Sequence, residues 1–202
     1  MYVTDEQIDV MRELINIGVG RAAGSLNTML RSHVRLQVPL VETLLPSALE
    51  ERIRELGEEM LSIVQLTFQG PFSGTASLIF LTRSAAKLVT VLTDDERNSL
   101  NLDSTRIGTL TEVGNIVLNG IVGVIGNEIE QYIHFSVPTY AENPVEVLLT
   151  PGDSDEDAMV VWAQAQFTVE RHHIAGDIIL LFEIGLFDVL WDAVNRKSAR
   201  VL

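Results

Sequence analysis

Between Ile8 and Met29 the apolar residues Ile8, Met11, Ile15, Ala22, Leu26 and Met29 recur at the three-and-four spacing of one helical face. A helix is expected from about residue 5 to 31, with Thr4 as N-cap and Asp5 and Glu6 in its first turn, where carboxylates suit the positive end of the helix dipole. Val34 to Val41 reads as a strand ending near Pro39, a residue tolerated at a sheet edge or bulge. Leu49 to Glu59 reads as a short charged helix that starts after Pro46 and Ser47. From Ser62 to Gln69 the chain alternates, with Val64, Leu66 and Phe68 facing inward and Gln65, Thr67 and Gln69 outward. Gly70 to Gly74 is a turn and Thr75 to Leu81 returns, which makes a hairpin; Thr82 or Ser84 then caps a helix to about Leu92.

The polar side of the first helix carries Asp9, Glu13 and Asn16 at i, i+4 and i+7, one stripe pointing away from the core. A second long helix, opened by Asp103 or Ser104 and running to about Glu130, carries Glu112 and Asn115. Each Asn is separated by 22 residues from a proline, Pro39 or Pro138. One Glu-x-x-Asn-x22-Pro match has a chance of about one in ten thousand per start position, so two at a constant offset are not coincidence. The offset is 99 residues and persists into the sheet, where Gln65-Leu66-Thr67-Phe68 answers Gln164-Ala165-Gln166-Phe167. The second hairpin turn, Glu170 to Ala175, is three residues longer, so that Gly74 answers Gly176; strand Asp177 to Glu183 and helix Leu186 to Val194 complete the copy. Asp94 to Asn98 connects the halves, roughly 1–93 and 103–202, expected to join into one domain over 1–202. The expected architecture is mixed α/β (α+β), a pseudo-twofold duplication with two long helices packed side by side on a shared, largely antiparallel sheet. Glycines at 18, 20, 120, 123 and 126 would permit the helix contact.

Composition narrows the function. The 202 residues are 47 % hydrophobic with a positive mean hydropathy of +0.23, enough to bury a substantial core. A net charge of −14 with no basic cluster argues against nucleic acid or an anionic membrane surface as partner. There are no cysteines, which excludes thiol chemistry and fits a reducing compartment. The N-terminus has neither the cationic region nor the apolar run of a signal peptide. The apolar run Ile116 to Ile129, interrupted by Asn119, Asn127 and Glu128, is too short to span a bilayer, so a cytoplasmic protein without membrane insertion is expected. His172-His173 lacks a third ligand at metal spacing. Asp153-x-Asp155-x-Asp157 has Ala158 and Gln164 where a calcium loop needs Gly and Glu. Trp162 and Trp191 read as core or interface residues.

Asp-x3-Glu-x2-Asn-x22-Pro resembles the signature of the CheC, CheX and FliY family of chemotaxis phosphatases, which act on the phosphorylated response regulator CheY. The resemblance covers essentially the whole chain, since that family is itself a two-fold repeat of this element order. With both motifs kept it is more like CheC than CheX; no further domain follows, so the flagellar-switch portion of a FliY-like protein is not expected. The second copy departs at its first position, where Gly108 stands in place of Asp or Ser. On that departure the first site is expected to be the stronger.

The resemblance implies a receiver phosphatase with no cofactor of its own, the Mg²⁺ arriving on the receiver partner. Hydrolysis of an aspartyl phosphate needs a water held in line and little else. A neutral carboxamide can accept from that water and donate to a phosphoryl oxygen, so Asn16 and Asn115 are the candidates for water positioning. Glu13 and Glu112 would pair with the receiver's lysine, and Asp9 would support that ion pair or orient Glu13. Two alternatives stay open. One is a non-catalytic module that binds a receiver or the deamidase CheD; the other is a regulator of a different two-component pathway. An exposed Glu-x-x-Asn is in most helices plain solvated surface; its repetition in register is what argues for a site.

Overall fold

The computed structural model describes residues 4–36, 40–55, 61–93, 103–142, 160–183, 188–189 and 192. The first long helix, α1, spans Asp5–Leu30. Thr4 accepts from the Gln7 backbone N–H while the Gln7 side chain accepts from the Thr4 N–H, a reciprocal cap that satisfies two orphan donors. Arg31, in the left-handed region at φ 46°, ends it. Strand β1 (Val34–Leu36) and strand β2 (Leu40–Leu44) follow, where a single strand was expected; Pro39 lies between them, outside the described residues. Helix α2, Pro46–Arg54, begins at Pro46 itself, earlier than expected, because the fixed φ of proline suits the first helical turn. Strands β3 (Leu61–Gln69) and β4 (Gly74–Leu81) form the first hairpin, and α3 (Thr82–Thr93) follows directly.

Among the described residues the second half repeats the order of long helix, two short strands and hairpin. Helix α4 spans Ser104–Glu128 with Asp103 capping the Arg106 N–H. Then come β5 (His134–Phe135), β6 (Thr139–Glu142), β7 (Val160–Val169) and β8 (Ile174–Glu183), the last pair joined by a turn over Glu170–His172. Of the expected final helix, Asp188, Val189 and Asp192 are helical and its other residues lie outside the described set, as do the connector at 94–102, Asp153, Asp155, Asp157, Ala158 and Trp191.

The eight strands of the described residues share one antiparallel sheet ordered β1-β7-β8-β4-β3-β5, with β2 also on β7 and β6 also on β3. Each half's two short strands therefore pair with the other half's hairpin. The registers match copy for copy. Leu36 faces Phe167 as Phe135 faces Phe68, and Leu40 faces Gln164 as Thr139 faces Gln65. At the centre β4 meets β8 with Ser77 opposite Ile179, its own counterpart, which puts a local twofold axis through that pair. Between β5 and β6 the ladder is interrupted at Ser136–Pro138: Thr67 N–H donates to Ser136 Oγ and Ser136 N–H to Thr67 O, both 2.9 Å, before Pro138, which has no N–H to offer.

One face of the sheet buries Val64, Leu66, Phe68, Ala76, Leu78 and Phe80 with their counterparts from β7 and β8 under α1, α3 and α4. The other face buries Leu61, Ile63, Ile79, Trp162 and Leu181 under Leu49 and Ile53 of α2. Among the helix glycines Gly18 makes the interhelical approach, since a Cβ there would lie 2.9 Å from the Ile121 carbonyl oxygen. Gly20, Gly24, Gly120 and Gly123 face open space and Gly126 meets Ile133, so most of the expected helix-contact glycines do not serve that contact. Gly114 instead lets α4 settle on Val64 of β3. By length and composition α4 could cross a membrane, unlike the shorter run read from the sequence. Here Leu110, Val113, Val117, Leu118, Ile121 and Ile125 bury its apolar side in the core.

Candidate functional site

Core packing orients the polar stripe. Burial of Met11, Ile15, Val19 and Ala22 on one side of α1 turns Asp9, Glu13 and Asn16 outward, all three exposed. In α4, burial of Leu110, Val113, Val117 and Leu118 leaves Glu112 exposed and Asn115 half-buried. Both Glu-Asn pairs are thus accessible and related by the same offset that relates the strands. Among the described residues Glu13, Asn16 and Glu112 hold no hydrogen bond or ion pair, so each is available to an incoming group.

The two sites differ in their neighbours. Asp9 does not reach toward Glu13; its carboxylate takes an ion pair from Arg12 on the preceding face. In α4 the equivalent places hold Gly108, which is exposed, and Thr111, whose hydroxyl bonds to the Ile107 carbonyl at 2.9 Å. Asn115 is not free either: Asn119 Nδ2 donates to its Oδ1 at 2.6 Å. In the sequence Asn119 interrupts an apolar run; its place one turn after Asn115 is the signal for this contact.

A second feature escaped the sequence reading. Ile17 and Ile116, the residues after the two Asn, are 43 % and 37 % exposed, large apolar side chains left in water beside the polar pairs. Each site therefore offers a carboxylate, a carboxamide and an apolar contact, a combination suited to a protein surface presenting a cation beside apolar groups. Pro138 is half-buried in the break between β5 and β6, on the sheet and not on the helix stripe. Among the described residues no three His, Asp or Glu side chains gather as a metal cluster; His172 and His173 sit in the hairpin turn, His173 at φ 51°.

No family model matches the chain. It is 22 % identical over 205 residues to the CheY-P phosphatase CheC of Bacillus subtilis, covering 96 % of this chain and 97 % of that protein. Among solved structures, Thermotoga maritima FliY superposes with a TM-score of 0.75 at 16 % identity, covering 98 % of this chain and all of that one. The FliM middle domain of H. pylori does so at 0.67 and 13 % identity, covering 93 % and 98 %.

Proposed function

We propose that this chain, which has the fold of the CheC, CheX and FliY proteins, is a cytoplasmic phosphatase of chemotaxis signalling that hydrolyses the aspartyl phosphate of a CheY-like receiver. The observation that carries the reading is the twofold presentation of an accessible Glu-x-x-Asn on the outer faces of α1 and α4, each beside an exposed Ile.

On docking, Glu13 or Glu112 pairs with a receiver lysine while Ile17 or Ile116 covers apolar surface near it. That pose brings Asn16 or Asn115 to the phosphoryl group. The carboxamide oxygen accepts from a water and aims it in line with the scissile P–O bond, and the amide N–H can donate to a phosphoryl oxygen. Water attacks phosphorus, the aspartate carboxylate leaves, and the water's proton goes to the departing phosphate. A carboxylate in place of Asn would repel the phosphoryl oxygens. The cation that compensates phosphate charge belongs to the receiver.

The test uses the phosphorylated receiver and an unreactive phosphoryl mimic. Asn16→Ala with Asn115→Ala should slow decay by about two orders of magnitude while leaving affinity for the mimic within about threefold. Equal losses of rate and affinity would reduce these residues to a binding surface. An unchanged decay rate would remove the assignment. The second reading, a non-catalytic binding module for a receiver or for CheD, draws on the likeness to FliM, which in H. pylori is solved in complex with FliG.

A further inference from the structure

Gly108 suggests that the second site is the weaker, but the neighbourhood of the two Asn residues points the other way. Asp9, which Gly108 lacks, is tied to Arg12 and gives Glu13 nothing. Asn119, by contrast, acts directly on the second site. It is half-buried, its Nδ2 donates to Asn115 Oδ1 at 2.6 Å, and its own Oδ1 is buried with no hydrogen-bond partner. A buried acceptor left unsatisfied costs stability, so this amide is a poor choice for the fold alone and calls for another reason. Its counterpart in α1 is Gly20, where a Cβ would meet nothing within 4 Å. Asn16 accordingly stands exposed with no partner among the described residues, its carboxamide free to turn.

We infer that Asn119 is a positioning residue that holds the Asn115 carboxamide ready for the water, making the second site the faster of the two; this rests on the phosphatase reading above. An exposed Asn must lose rotamer freedom each time it assembles a water and a phosphoryl oxygen. A bond to one end of the amide fixes its plane beforehand. The Asn115 oxygen keeps a second lone pair for water and the Nδ2 protons remain free; turning both amides over preserves the link with donor and acceptor exchanged. Such preorganisation belongs to the rate at saturation rather than to docking.

Two single-site proteins separate the effects: Asn16→Ala reports the second site and Asn115→Ala the first. Asn115→Ala should lose more activity than Asn16→Ala. In the Asn16→Ala background, Asn119→Ala should lower kcat about fivefold with KM unchanged. In the Asn115→Ala background, Gly20→Asn should raise kcat by a similar factor, which a purely structural role for Asn119 would not produce. Side-chain NMR on the isolated protein should show the Asn115 carboxamide more restricted than that of Asn16, a difference abolished by Asn119→Ala. The inference is overturned if Asn119→Ala and Gly20→Asn each leave kcat within twofold, or if the two carboxamides are equally mobile. If the Asn16→Ala, Asn115→Ala double variant decays the receiver as fast as the parent, the phosphatase reading itself is lost and the inference with it, an outcome distinct from a failure confined to Asn119.

Discussion

Glu13 and Glu112 are exposed and hold no partner among the described residues, so the packing around them does not depend on them. Replacing both by Ala should move stability by no more than about 0.5 kcal/mol, the usual range for such surface positions. On the proposed reading their effect belongs to docking: affinity for the receiver's unreactive phosphoryl mimic should fall by about tenfold, and the loss should shrink at high salt because it is electrostatic. Surface plasmon resonance at two salt concentrations checks both statements. A kcat defect at saturation without an affinity defect would move Glu from docking to chemistry. Ile17 and Ile116 act at the same scale. Ile17→Ser with Ile116→Ser should weaken the same complex with no salt dependence, since what is lost is apolar burial.

At the scale of the element, the hairpins are locked by glycines with matched surroundings. A Cβ on Gly74 of β4 would collide with the Leu181 carbonyl oxygen and the Phe68 ring, and one on Gly176 of β8 with the Ile79 carbonyl oxygen and the Phe167 ring. Backbone cannot yield as a flexible side chain can, so Gly74→Ala should destabilise by about 1–3 kcal/mol in denaturant unfolding; a neutral result would show that the sheet breathes there. Between β7 and β8 Asp177 accepts from Gln164 Nε2 at 3.0 Å. Burial pushes its carboxyl above the ordinary value, while the hydrogen bonds from Gln164 and Gln166 pull the other way. A raised folded value means that the native state holds this proton more tightly than the unfolded chain. Stability from this group is therefore full below the ordinary carboxylate value and lost as pH rises through the folded one. Asp177→Asn keeps the acceptor and removes the charge. It should be more stable than the parent at pH 7, with the gain vanishing in acid; a constant gain at every pH would exclude titration of Asp177 as its source.

For the whole molecule the exchange of short strands is decisive. Strands β1 and β2 lean on β7, and β5 and β6 on β3, so each half supplies the edges of the other's hairpin. Cutting between the copies would strand four edge segments and expose the β4–β8 junction together with the α1–α4 contact at Gly18 and Ile121. We therefore propose that 1–202 acts as one cooperative unit. Residues 1–93 or 103–202 expressed alone should not give a stable monomer, whereas the two expressed together should reassemble a complex of native circular dichroism. A well-folded monomeric half, seen by sedimentation and cooperative melting, would overturn this.

Much of this was written locally in the chain. Helix faces, the two hairpins, the caps at Thr4 and Asp103 and the outward aim of Glu13, Asn16, Glu112 and Asn115 follow from periodicity and from side-chain chemistry within a few residues. The duplication was legible because the offset of 99 residues needs no geometry to be seen. What the sequence could not decide is which distant segments pair. The edge strands are two to five residues long, and nothing in Val34–Leu36 or Thr139–Glu142 names a hairpin in its own half or in the other. That choice falls to the burial of both sheet faces and to the twofold register at Ser77 and Ile179. The same holds within the site. Spacing placed Asp9 beside Glu13 and Asn119 beside Asn115 alike, but the folded chain turns Asp9 to Arg12 and leaves Asn119 to hold Asn115, because a polar side chain takes whichever partner its rotamer and its burial allow.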